Sequence, residues 1–180
     1  KKDEKILLEF VSANPTGPLH IGHARGAIAG DSLARVGKYL GYDITTEYYI
    51  NDAGAQMDLL GLSVSLAARD FLFKEDVTYP ETYYRGEYLI DIANVVIEKF
   101  GKDIIYDEAR FKEIAFFSKD LVMEIIIKDL KDLGITFDNF VSEKSLYSSW
   151  DTTKEVLEKN GSLYSKDEKI YLKSTQYGDK

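Results

Sequence analysis

Residues 14–27 read Asn-Pro-Thr-Gly-Pro-Leu-His-Ile-Gly-His-Ala-Arg-Gly-Ala, follow directly on an apolar run at 6–12, and lead into a long helical pattern. Two prolines and a glycine between an extended run and a helix dictate a strand-loop-helix unit. Pro18 fixes φ at a value the helix can use and gives up an N–H that a helix start would leave orphaned, which predicts a helix from about Leu19. His20 and His23 then lie in its first turn, three residues apart and on one face. Free N–H groups and the positive end of the helix dipole beside them favour an anion, so this is a place to hold a phosphate. Gly22, Gly26 and Gly30 recur at four-residue spacing, although glycine inside a helix costs about 1 kcal/mol against alanine. The spacing predicts close approach to the backbone: a flat ring or phosphate at Gly22, a packed strand at Gly26 and Gly30. The row Ala29, Leu33, Val36 and Leu40 is the face expected to meet the sheet.

Composition excludes several alternatives. A chain of 180 residues can bury one core with room for an insertion, and its 44% hydrophobic content is that of a soluble globular protein. No uninterrupted apolar stretch approaches a membrane span. Cysteine is absent, so disulfides and thiolate metal sites are excluded, and no secretory apolar segment opens the chain; a cytoplasmic address is expected. The polar opening at 1–5 is abrupt and reads as a boundary rather than a natural start. A net charge of −8 argues against broad electrostatic binding of nucleic acid, and taken alone it serves solubility.

In the first strand, 6–12, the one polar interruption before Ser12 is Glu9. A carboxylate inside a buried strand is expensive unless paired, which makes Glu9 a site candidate; an edge-facing glutamate bonded to a nearby loop is the alternative. Gly41 stops the first helix, and residues 44–50 form a second, β-branched and aromatic strand, parallel to the first through the helix between them. Asp52 is the expected N-cap of a helix running to about Phe73. Because ligands gather at the C-terminal ends of parallel strands, Asp52 and Gln56 are also second-rank site candidates. Residues 74–83 break the pattern with charge and Pro80. Helices follow at 86–100 and 111–133, the second carrying Phe111, Ile114, Ala115, Val122, Ile125 and Ile126 as a core stripe. A short strand at 137–142, a helix at 152–160 and a hairpin of 163–164 with 170–172 complete the chain, and Tyr147, Trp150 and Tyr164 are expected to pack.

A bare His-x-x-His reads equally well as a surface pair. The tetrapeptide His20-Ile21-Gly22-His23, however, resembles the HIGH signature of class I aminoacyl-tRNA synthetases. Its flanks, Glu9 to Leu19 ahead and Ala24-Arg25-Gly26-Ala27 behind, resemble the arginyl members of that class, as do residues 48–54 and Tyr84-Arg85-Gly86-Glu87-Tyr88. The resemblance implies an α/β architecture: the first half of a Rossmann-like nucleotide-binding fold over 1–74, with parallel strands and crossover helices, and a mixed α+β connective insertion over 75–180 that returns towards the catalytic fold at its end. It implies ATP with Mg²⁺, L-arginine and tRNA(Arg) as substrates, the tRNA being held mostly by other domains. By the same carry-over Glu9 meets the guanidinium, and Ser12 and Asn14 hold the amino-acid end. Thr16, Gly17, His20, Gly22 and His23 bind ATP, and His20 and His23 are catalytic donors.

The lysine-rich KMSKS loop that the class carries in the second half of this fold does not occur in these residues. Half of a catalytic domain plus its insertion is therefore expected, unable to activate arginine alone. The rival readings are a small nucleotidylyltransferase of the same superfamily and a non-catalytic nucleotide- or RNA-binding module. No protein metal site is expected, since two histidines without cysteine have no carboxylate at helix spacing to complete one.

Overall fold

The computed structural model describes residues 4–179; the first three residues of the polar opening lie outside them. Two compact units meet in sequence between Lys144 and Ser145. In the first, β1 (Lys5–Glu9), β2 (Asp43–Ile50) and β3 (Asn139–Ser142) form a parallel sheet with β2 in the middle. Glu9 lies beside Glu47 in register. The parallel α/β arrangement matches the expectation, and strand β3 brings the chain back to the sheet.

The first strand is shorter than its apolar run. Val11 and Ser12 take φ of 67° and 39°, ending the ladder at Glu9. Left-handed backbone at a β-branched residue costs on the order of 1–2 kcal/mol, so strain is stored where the strand enters the loop. Glu9 is exposed rather than buried, and its cost as an unpaired interior carboxylate does not arise.

Helix α1 (Ile21–Tyr39) begins two residues later than Pro18 suggests, because His20 serves as the N-cap. Its inward face is also not the large apolar row. Ala27, Ala34 and Gly37 are buried, while Leu33, Val36 and Leu40 stand more than half exposed. A methyl at Gly30 would run into the Phe10 ring, and one at Gly37 into Ile44, so small residues let the helix lie close on β1 and β2. Gly26 faces open space and has no such role.

Helix α2 (Ala55–Ala67) runs through a π turn to Leu72, close to the expected end. Its N-cap is Gly54, at φ 76°, with no side-chain cap; Asp52 is turned elsewhere. Helices α3 (Tyr88–Phe100) and α4 (Phe111–Asp132) pack on α2, where a side chain at Gly61 would strike the Phe111 carbonyl. The core gathers Tyr48, Leu60, Val64, Val96, Ile104 and Ile105 with the α4 stripe Ile114, Val122 and Ile126.

A one-turn helix α5 (Glu143–Leu146) follows β3. The second unit holds α6 (Trp150–Lys159) and the antiparallel hairpin β4 (Leu163–Lys166) with β5 (Lys169–Leu172). Its turn is Asp167-Glu168, both at positive φ (49° and 60°), the geometry of a two-residue turn that matches strand twist, in place of the expected five-residue loop. Tyr164 stacks on Tyr171 with ring centroids 5.3 Å apart, whereas Tyr147 and Trp150 are largely exposed rather than packed. Among the described residues no helix is long and apolar enough to cross a membrane.

Candidate active site

Two tyrosine hydroxyls hold the loop between β1 and α1. Tyr48, buried on β2, donates to the Ala13 carbonyl at 2.9 Å, and Tyr88, at the start of α3, donates to the Thr16 carbonyl at 2.7 Å. Burial pushes both phenols up to about 12, in Tyr88 with help from Tyr84, so both remain donors at neutral pH. Thr16 itself is buried, and a methyl on Gly17 would come within 3.2 Å of the Tyr88 hydroxyl. The loop is therefore fixed from the sheet side by β2 and from the other side by α3.

At the start of α1 the histidines close a reciprocal capping box. His20 Nδ1 accepts from the Gly22 N–H (3.1 Å) and the His23 N–H (3.4 Å), and His23 Nδ1 accepts from the His20 N–H (3.3 Å). The N–H groups expected to be free for an anion are thus partly taken by the imidazoles. An accepting Nδ1 carries no proton, so in each neutral ring the hydrogen is on Nε2. The rings stack with centroids 3.6 Å apart. A methyl on Gly22 would lie 2.9 Å from His20 Cε1; the flat ring that this glycine admits is the N-cap histidine's own. Burial, and secondarily the neighbouring His20, hold His23 below its ordinary 6.5.

These groups open on a cleft of about 400 Å³ lined by Asn14, Thr16, Gly17, Pro18, His20 and His23, with Tyr84, Arg85 and Tyr88 across from them. The last three come from a segment whose sequence stands out but which by itself points to no particular role. A positive charge opposite two N–H donors suits a phosphorylated ligand. A larger hollow of about 750 Å³, walled by Phe71, Tyr79, Tyr83 and Leu89, shares Tyr84 and Arg85 with the cleft but lies away from the histidines.

The remaining candidates are distributed around this cleft. Glu9 is exposed at the end of β1 and is not part of the cleft wall. Ser12 Oγ accepts from the Tyr49 N–H at 3.1 Å, tying the strained end of β1 to β2. Asn14 Oδ1 accepts from Asn51 Nδ2 at 3.3 Å, and Gln56 Nε2 reaches the Asn51 side-chain oxygen at 2.6 Å. Asp52 is buried. Its carboxylate accepts from Ser142 Oγ (2.7 and 2.9 Å) and the Lys144 N–H (3.0 Å), with Lys119 Nζ 3.9 Å away, so it joins the ends of β2 and β3 instead of capping α2. Among the described residues no group of three or more His, Cys, Asp or Glu side chains is placed to hold a metal ion.

Comparison with known proteins bears on the family and the fold. The family model of class I (R) tRNA synthetases, catalytic domain, matches residues 1–180. Curated relatives named arginine–tRNA ligase include one from Aliarcobacter butzleri, 80% identical over 179 residues, and one from Campylobacter curvus, 57% identical over 179 residues. Each alignment covers 99% of this chain and 34% of the relative, so the chain spans about a third of their length. A Campylobacter jejuni structure described as an arginyl-tRNA synthetase superposes with a TM-score of 0.90 at 48% identity, covering all of this chain and 40% of that one. The Thermus thermophilus arginyl-tRNA synthetase, at 18% identity and a TM-score of 0.62 over 98% of this chain and 31% of its own, shares the fold. The chain belongs to the class I arginine-type tRNA synthetases and is part of their catalytic domain.

Proposed function

We propose that this chain contributes the ATP and amino-acid half-site of an arginine–tRNA ligase. The observation that carries the reading is the convergence, in one cleft, of two stacked imidazoles with outward Nε2 donors, Asn14, and the loop 16–18 at the start of a helix. The arginine carboxylate attacks the α-phosphate of ATP, forming arginyl-adenylate and releasing pyrophosphate. The terminal ribose hydroxyl of tRNA(Arg) then takes the arginyl group. This chain offers no covalent nucleophile to that sequence; it supplies position and charge. His20 and His23 donate from Nε2 to phosphate oxygens as charge builds, Thr16 and Gly17 shape the loop beneath the nucleotide, and Gly22 keeps the helix start clear. Ser12 and Asn14 meet the amino-acid end, and Glu9, with Glu47 beside it, faces the guanidinium as its counter-charge.

Among the described residues the cleft wall carries no carboxylate, so Mg²⁺ comes held by the phosphates of ATP. Residues 1–74 act as the first half of the nucleotide fold and 75–180 as the connective insertion. The tRNA is gripped mostly by parts of the full-length protein outside these residues, in the cytoplasm. The matching relatives' names do not favour the nucleotidylyltransferase reading. Calorimetric titration with ATP and then arginine, on this chain and on His20→Ala and Glu9→Ala, tests the proposal. Nucleotide binding should vanish with His20→Ala, and arginine binding with Glu9→Ala. ATP binding untouched by His20→Ala would overturn the assignment of the cleft.

A further inference from the structure

We infer that Gln56, acting through Asn51, fixes which end of the Asn14 carboxamide faces the cleft, so that Asn14 offers an N–H donor to an anionic oxygen of the substrate. This rests on the reading of the cleft as the substrate site.

Gln56 stands in the first turn of α2 and is half-buried, and its Nε2 lies 2.7 Å from the Asn51 carbonyl, 3.1 Å from the Ala53 carbonyl and 2.6 Å from Asn51 Oδ1. Main-chain carbonyls only accept hydrogen bonds, so the end of the Gln56 amide facing them must be the NH₂. With that end fixed, the side-chain atom of Asn51 that meets Gln56 must be the acceptor Oδ1. Asn51 Nδ2 is then directed the other way, to Asn14 Oδ1 at 3.3 Å. The polarity passes on once more: with Oδ1 engaged, Asn14 has both Nδ2 hydrogens left for a ligand.

The relay begins on backbone carbonyls that cannot reverse their role, and each amide downstream inherits its orientation. A flipped Asn14 would present a carbonyl oxygen to the cleft and repel a carboxylate or phosphate oxygen. In the oriented form its NH₂ complements the carboxylate of the amino acid as that group approaches the α-phosphate. Gln56 and Asn51 are therefore positioning residues; neither lines the cleft.

Two isosteric variants interrupt the relay. In Gln56→Glu a carboxylate confronts three oxygen acceptors, and in Asn51→Asp the donor to Asn14 is lost. In the full-length protein, amino-acid-dependent ATP–pyrophosphate exchange should show the KM for the amino acid raised about tenfold, the loss of one hydrogen bond to a charged group. The KM for ATP should stay within about twofold, since the histidine donors are untouched. Lowering the pH protonates the carboxylate introduced by Gln56→Glu and restores an O–H donor, so the defect of that variant should shrink on acidification while the wild-type value does not improve. An unchanged amino-acid KM, or equal rises in both KM values without pH rescue, would overturn the relay.

Should the full-length protein show no such exchange, the reading of the site fails on its own account, and the relay is decided without ligand. In ¹H–¹⁵N spectra of the 180-residue chain the side-chain amides of Asn51 and Asn14 should both shift in Gln56→Glu and remain in place in Asp58→Asn, an exposed change on the same helix. Amide signals of Asn14 unmoved by Gln56→Glu would overturn it.

Discussion

The imidazoles of His20 and His23 lie face to face, 3.6 Å between centroids and 15° from parallel, and each Nδ1 accepts the backbone N–H of the other residue. One pair of side chains thus does two things: it terminates a helix, and it leaves two Nε2 atoms turned away from the backbone on residues that line the cleft.

The two roles separate by substitution. His20→Ala removes the acceptor for two N–H groups and should cost about 1 kcal/mol of stability by urea denaturation, together with nucleotide binding. Asn is a good N-cap, so His20→Asn should hold stability within about 0.5 kcal/mol of the wild type while nucleotide binding is still lost.

The lowered His23 gives a signed pH dependence. The unfolded chain takes up a proton near the ordinary 6.5, whereas the folded ring resists until a lower pH, so between those values the unfolded state binds more protons. This contribution to stability is complete above the unfolded value, falls as pH drops through the window, and levels off below the folded value. Urea midpoints measured from about pH 7.5 to about 5.5 should decline less steeply in His23→Gln than in the wild type. Pyrophosphate, placing negative charge beside the ring, should raise the titration midpoint of His23 seen by NMR.

Gly26 and Gly30 share a helix and a spacing but should respond in opposite directions. Gly30→Ala drives a methyl into Phe10 and should destabilise by roughly 1–3 kcal/mol. Gly26→Ala points into open space and should stabilise by up to about 1 kcal/mol through helix propensity. Paired urea melts read both signs.

Tyr88→Phe removes the hydroxyl under the Thr16 carbonyl, and a loss of roughly 0.5–1.5 kcal/mol is expected, with weaker nucleotide binding by calorimetry as the loop loosens.

Asp52→Ala strips acceptors from Ser142 and the Lys144 N–H and leaves Lys119 to the Asp120 carboxylate. A loss of roughly 1–3 kcal/mol by urea denaturation is expected, with β3 losing hydrogen-exchange protection first.

The strand-loop-helix unit is legible in the sequence because Pro15, Gly17 and Pro18 act locally: each restricts or frees backbone dihedrals whatever surrounds it. The α4 stripe is legible for a related reason, a long period with no competing face. The inward face of α1 is not, because the periodicity rule ranks residues by hydrophobicity, whereas contact with Phe10 and Ile44 selects by size. Glu9 reads as part of a buried strand because an apolar run does not announce that β1 lies at the sheet edge, with Ile6 and Leu7 themselves exposed. Asp52 has the chemistry of a cap, and only the arrival of β3, some ninety residues later, shows where its carboxylate goes. Tyr84, Arg85 and Tyr88 carry a signal in their phrase, but which side of the fold they reach depends on how α3 packs.

The close seating of α1 on β1 and β2 also sets a distance for chemistry. Because Gly30 and Gly37 present only hydrogens to Phe10 and Ile44, the helix rests directly on the sheet, and the eleven-residue loop from β1 to α1 is held at the Ala13 and Thr16 carbonyls. Any side chain added at either position acts as a shim under a lever. It lifts the shaft, and the two imidazoles at its tip swing away from Asn14, whose own position is tied to the sheet through Asn51.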